Sequence, residues 1–265
     1  MSGFNSKQYW ENRLGVKWGL HGIGYLGLGR YYNDWLYKVQ RRIFLRHVRF
    51  LVDDCSKIGV LDIGSGTGYY VDLWKSLGFS SVTATDITTF AVEELQKKFP
   101  DVECYQLDIG DNLHEVFRNK QYNVISAFAV LFHIIDDGRY QRAIENIFQM
   151  LHSGGFFIFS ENFIHGETIR GQHFVSRSLD DIEAILKKTG FKVKVRVPMF
   201  VLMAYPVDSK STILKIIWRM VILAVRKLPL LGFALGSLLY PFELILTSYL
   251  KEGPSTELMI CEKHK

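Results

Sequence analysis

One stretch constrains this chain more than any other: Val60-Leu61-Asp62-Ile63-Gly64-Ser65-Gly66-Thr67-Gly68-Tyr69. An apolar strand pattern runs into a loop with glycine at every second position, then into a helical pattern. Such a loop lets a ligand approach the backbone and the helix N-terminus. Alone it is only a tight turn, and its neighbours make it specific. A dinucleotide fingerprint needs its third glycine at position 69, which is Tyr69 here. Asp62, on the strand just before the loop, disfavours a pyrophosphate and suits an ammonium group. Asp86 closes the next strand, where an acid can accept both ribose hydroxyls. Asp108 closes the third, within reach of an adenine amino group. A ligand with an amine, a ribose and an adenine but no phosphate fits all three carboxylates.

Around that loop, strands alternate with helices. Strands are expected at Ile58–Ile63, Val82–Thr85, Val102–Leu107, Val124–Phe128, Phe156–Ser160, Phe191–Val197 and Leu258–Glu262. Helices fall at Tyr70–Ser76, Ala91–Phe99, Tyr140–Leu151 and from the Ser178 cap to Lys188. This predicts an α/β fold: a seven-stranded, mostly parallel Rossmann-like sheet with helices on both faces. A further helix over residues 33–52 opens near Asn33 or Asp34, with Lys38, Arg42, Arg46 and Arg49 on its polar face. The glycine- and aromatic-rich stretch Trp18–Tyr32 has no regular pattern.

Residues 58–163, roughly two-fifths of the chain, resemble class I S-adenosylmethionine-dependent methyltransferases of the small-molecule type. The resemblance is carried by Val60–Tyr69, Thr85-Asp86, Leu107-Asp108-Ile109, the segment from Ala127-Phe128 to His133, and the turn Leu151-His152-Ser153-Gly154-Gly155. It implies S-adenosylmethionine as cofactor. Asp62 would lie near the methionine ammonium, Gly64, Ser65, Gly66 and Gly68 beneath the cofactor, and Asp86 with Ile87 at the ribose. Asp108 and Ile109 would frame the adenine, and Phe128 would contact the methionine end. The pair Tyr9-Trp10 resembles an N-terminal lid element, with Tyr9 toward the cofactor and Trp10 toward the substrate. An aromatic staple holding a helix on the core is the other reading of that pair.

Methyl transfer from a sulfonium is an in-line displacement, so the protein mainly aligns the nucleophile. A hydroxyl nucleophile gains from a general base, and His133 at the mouth of the sheet is the candidate catalytic residue. Glu161 ends the fifth strand at the same mouth. Arg170 and His173 precede the Ser178 cap on a loop beside it, and these three with Trp10 are candidate substrate contacts. Glu161 with Asp136 and Asp137 only superficially matches a metal site, and no metal is expected.

The charge of +5 is unevenly spread. Residues 1–50 carry +7, residues 51–200 carry −5 and residues 201–256 carry +3. Three regions follow: an N-terminal helical lid (1–52), a cofactor-binding core (53–200 and 257–265) and an apolar helical insertion (201–256). Helices are expected there at Ile213–Arg226 and about Leu235–Leu250. The longest uncharged run, Leu228–Phe242, has 15 residues, short of the about 20 needed to span a membrane. A substrate cap, a homodimer interface and peripheral membrane contact stay open for this insertion.

The expected function is methyl transfer to a small or medium-sized, largely apolar acceptor, with O-methylation favoured over C- or N-. Alternatives are a nucleic-acid methyltransferase using the basic N-terminal segment, a membrane-surface methyltransferase of a lipid-like substrate, and a non-catalytic cofactor-binding partner. Nucleic acid is disfavoured, because Ser126-Ala127-Phe128-Ala129-Val130 lacks the proline motif of base-methylating members. Three scattered cysteines and an N-terminus without an apolar run predict a cytoplasmic protein, at most peripheral to a membrane.

Overall fold

The computed structural model describes residues 4–49, 51 and 55–264. Seven strands form one sheet: β1 (Gly59–Ile63), β2 (Ser81–Asp86), β3 (Glu103–Gln106), β4 (Tyr122–Phe128), β5 (Leu151–Glu161), β6 (Phe191–Pro198) and β7 (Glu257–Lys263). Their order is β3-β2-β1-β4-β5-β7-β6, and only β7 runs antiparallel to its neighbours. The central strands are apolar on both faces, with Val60, Leu61, Ile125 and Ala127 buried, as strands covered on both sides must be. On one face pack α3 (Gly29–Val48), α4 (Tyr69–Ser76) and α5 (Thr89–Lys98), around Phe44, Trp74 and Leu95. The other face carries α6 (Glu115–Arg118), α7 (Asp137–Met150) and α8 (Leu179–Thr189), around Phe117, Ile144 and Leu186. Strand order reverses between β1 and β4, which opens a crevice at their carboxyl ends.

Ahead of the sheet lie α1 (Ser6–Val16), α2 (Leu20–Ile23) and a 3-10 turn at Leu26–Leu28, which give form to much of the unassigned aromatic stretch. The helix expected from residue 33 opens at Gly29 instead. Asn33 is not its cap: the buried side chain accepts from the Tyr25 N–H and donates to the carbonyls of Tyr25 and Gly29, tying down the preceding loop. Positions 50 and 52 of the expected span lie outside the described residues.

The insertion leaves the sheet after Pro198 and returns at Glu257, and these two residues pair with each other. Glu257 also pairs with Glu161, so both ends sit at the carboxyl edge of the parallel strands. It contains α9 (Thr212–Lys227) and α10 (Pro229–Tyr249). Where a shorter second helix was expected, α10 runs for 21 residues, long and apolar enough to cross a membrane by length and composition. Glu243, which ended the uncharged run in the sequence, is turned inward and accepts the Val201 and Leu202 N–H groups at 2.7 Å each. The helix lies along α3. Gly236 permits that approach, since a Cβ there would stand 2.2 Å from Trp35.

Candidate active site

The glycine loop turns between β1 and α4 with Gly64, Gly66 and Gly68 all at positive φ, a backbone that side chains resist. At Gly64 a Cβ would also meet Val130 at 2.5 Å. Beneath the loop, Asp62 is 2% exposed. Its Oδ1 accepts from Ser126 Oγ at 2.6 Å, and Ser126 Oγ accepts in turn from Trp74 Nε1 at 3.1 Å. Burial pushes the Asp62 carboxyl up to about 6, against the opposing hydrogen bond from Ser126. A cation beside it would restore the charged form.

Asp86, also buried and raised by burial, clamps the loop to α5. One oxygen accepts from Gly66 N at 3.0 Å, and the other from Thr88 N and Thr88 Oγ1. A carboxylate offers about four lone-pair sites, so capacity for a ribose hydroxyl remains. Ile87 is half-buried beside it, its carbonyl taking the Gln106 side-chain amide. Ser65 Oγ donates to the Asp62 carbonyl.

At the third strand end the fit is looser. Asp108 accepts from Arg139 Nη2 at 2.6 Å and from Gly110 N at 3.1 Å, so both oxygens are engaged within the protein. Ile109 is buried, packed into the core cluster under α7. Phe128 stacks on Tyr70 with ring centres 3.7 Å apart. Directly after it Ala129 takes φ +55°, a costly conformation for a residue with a side chain, held by donation to Ser160. Backbone strain of this kind gathers at functional sites, and here it re-aims the chain at the crevice.

Beyond that turn, His133 is enclosed by aromatic rings. Trp10 meets it edge-on at 5.0 Å, and His173 lies parallel at 6.1 Å, itself stacked on Tyr9 at 5.4 Å. His133 Nδ1 lies 2.8 Å from the His173 carbonyl, which can only accept, so Nδ1 carries the proton and Nε2 is the basic atom. Desolvation lowers His133 to about 4, leaving the ring neutral at neutral pH. The Tyr9-Trp10 pair lies on α1, and Glu11 beside it accepts from Thr89 N and Phe90 N at the start of α5. Consecutive residues of α1 thus reach both the histidine and the helix that follows Asp86.

Glu161 lies apart from this cluster. It is buried, accepts from Tyr140 Oη at 3.2 Å and is pushed up to about 8 by burial, which leaves it protonated at neutral pH. Arg177, whose guanidinium covers the Tyr140 ring at 3.8 Å, draws Asp137 into an ion pair that Arg170 shares. Asp136 caps α7. Asp136 and Asp137 of the superficial metal pattern therefore have local partners, and among the described residues no group of three His, Cys, Asp or Glu side chains could hold a metal ion. An open cleft of about 750 Å³ beside Phe148, Gly190 and His264 sits at the opposite, amino end of the sheet. Glu11, Ser126, Tyr140 and Arg177 are additions to the residues expected from sequence, and only the adjacency of Glu11 to the Tyr-Trp pair offered any signal.

Strand order, glycine loop and strand-end acids together define a Rossmann-like methyltransferase sheet. Residues 60–155 match the family model described as a methyltransferase domain, so this stretch is a methyltransferase domain, with S-adenosylmethionine as its cofactor. No curated protein matches the sequence significantly. Among solved structures, magnesium protoporphyrin IX methyltransferase from Synechocystis aligns with a TM-score of 0.56 at 14% identity, covering 99% of each chain. An S-adenosylmethionine-dependent methyltransferase from Clostridium acetobutylicum gives 0.52 at 14% identity over 89% of this chain and 93% of that one. The [4+2]-cyclase SpnF gives 0.53 at 13% identity over 88% and 81%. At such identities the likeness is one of fold alone, and the cyclase is a reminder that one fold hosts different chemistries.

Proposed function

We propose that the chain methylates a hydroxyl of a small or medium-sized, largely apolar acceptor held against the ring cluster of Tyr9, Trp10 and His173. The observation that carries this reading is His133, a neutral imidazole with a fixed tautomer among aromatic rings at the crevice. When bound, the cofactor supplies a methyl group already activated on a sulfonium.

The residues fit that cofactor. Asp62 offers a buried carboxylate to its ammonium, Asp86 keeps acceptor capacity for the ribose, and Gly64, Gly66 and Gly68 leave room for its body. Ile87, Asp108, Ile109 and Phe128 complete the assignment, with Asp108 contributing through the Arg139 pair. Of the expected N-terminal lid, α1 with Tyr9 and Trp10 serves that role, while α3 belongs to the core. Trp10 and the other rings exclude water, while His133 Nε2 receives the hydroxyl proton and Nδ1 stays bonded to the His173 carbonyl. Arg170, exposed beside the mouth, orients the outer end of the acceptor, while Glu161 is buried against Tyr140 and has no such role.

The test uses methyl-labelled cofactor, a panel of apolar hydroxyl acceptors and calorimetry of cofactor binding. His133→Ala is expected to lower kcat at least about a hundredfold, the lower end of the usual range for removing a general base, with cofactor Kd unchanged. Cofactor affinity should weaken as pH falls below about 6, where Asp62 takes up a proton and loses its charge. The kcat should stay flat down to about pH 5, because His133 titrates near 4. An inflection in kcat near the ordinary histidine value, or full activity in His133→Ala, would overturn the assignment.

A further inference from the structure

A helix on the surface of a water-soluble domain keeps its outer face polar, and α9 and α10 do the reverse. Ile216, Met220 and Leu223 on α9, and Leu230, Leu238 and Phe242 on α10, are each about half exposed or more. Between Leu228 and Leu250 the only charged side chain is Glu243, and it is buried against the Val201 and Leu202 N–H groups. The exposed surface of α10 therefore holds no charge over its 21 residues.

Cations border this surface. On α3 and its C-cap, Lys38, Arg42, Arg46 and Arg49 fall within about 80° at 3.6 residues per turn, on the side that also carries Trp35. Trp35 packs against Phe233 and Tyr240 of α10, Lys38 Nζ sits 3.7 Å over the Trp35 ring, and Arg46 donates to the Thr247 carbonyl. The basic row thus runs beside α10 from one end toward the other. Arg219, Arg226 and Lys227 are exposed on α9, which carries no acid. Among the described residues, Arg42, Arg219, Arg226 and Lys227 form no ion pair.

Three occupants compete for an apolar face with a cationic border. Nucleic acid would meet phosphates with aliphatic side chains across the centre of the face. A second copy would bring these cations toward cations, since the exposed surface of the three helices has only Asp34 to oppose them. An anionic bilayer satisfies both parts at once, with apolar side chains below the headgroups and Lys and Arg among the phosphates. Spanning would require α10 to leave α3, along which it lies, and the insertion begins and ends at paired residues of the sheet.

We propose that α9 and α10 seat this protein flat on an anionic lipid surface, with Lys38, Arg42 and Arg49 at headgroup level. Docking is independent of the acceptor's identity and of methyl transfer itself. The test is flotation of the full chain with vesicles of phosphatidylcholine, with and without one-third phosphatidylglycerol. Wild type should float with the anionic vesicles. Leu238→Glu/Phe242→Glu, both exposed, should lower that partitioning at least about thirtyfold, as removal of two inserted side chains predicts. Arg42→Glu/Arg49→Glu should lower it about tenfold on anionic vesicles and leave neutral vesicles unaffected. Unchanged circular dichroism and cofactor affinity show that the variants are folded. Failure of wild type to float, or flotation of Leu238→Glu/Phe242→Glu like wild type, would overturn the proposal. So would a stable dimer in sedimentation that the same substitution splits without any vesicle binding, since the face would then belong to a second copy.

Discussion

The cofactor cradle and the helical insertion are both apolar stretches of the same chain, yet they treat charge in opposite ways. In the cradle, acids lie inside and each has a fixed set of donors: Ser126 for Asp62, and Gly66 with Thr88 for Asp86. In the insertion's two helices the one acid, Glu243, is also inside, but many hydrophobic side chains are left outside. Hydropathy alone does not separate these cases. What does is whether the polar groups left over after folding face a cleft or are hidden from a surface.

The largest break in that contrast is expected at Gly64. Gly64→Val combines a left-handed backbone with a clash on Val130, and should cost about 3 kcal/mol or more and abolish cofactor binding. Chemical denaturation and calorimetry would measure both, and a variant that melts and binds normally would mean the loop yields freely. Next is the insertion's buried acid. Glu243→Ala leaves two N–H groups without an acceptor, and about 2 kcal/mol should be lost. Leu238→Ser, one turn earlier but exposed, should change stability by less than about 0.5 kcal/mol. If the two variants unfolded at the same denaturant concentration, the inside-out description of α10 would be wrong. Smallest among the buried polar changes is Ser126→Ala, worth about 1 kcal/mol through the lost hydrogen bond. Without the Ser126 donor, Asp62 should rise further, moving the pH below which cofactor affinity falls to a higher value. A profile that moves the other way, or not at all, would detach Asp62 from the ammonium role.

The parts of this arrangement legible in the sequence are those that chain order alone determines. A strand followed by glycines at alternate positions must turn, and the acids Asp62 and Asp86 then sit at neighbouring strand ends. The three-member relay Trp74–Ser126–Asp62 was not legible, because its parts come from α4, β4 and β1, which only the sheet order brings together. The ring cluster was half legible. Tyr9, Trp10, His133 and His173 each stood out, but their meeting depends on the fold of α1 across the sheet. Polar residues that point inward hide their role from sequence. Asn33, near the expected helix start, is a loop tie. Glu243, which bounds the longest uncharged run, is a buried acceptor. The insertion's orientation was the least legible feature, since helical periodicity gives a face but not its partner.

Trp10 and Glu11 are neighbours on one helical turn, one against the His133 ring and the other on the first N–H groups of α5. A turn of helix moves as a unit, so neither contact can open while its neighbour stays shut. If this segment is the proposed lid, acceptor and cofactor would share a single gate.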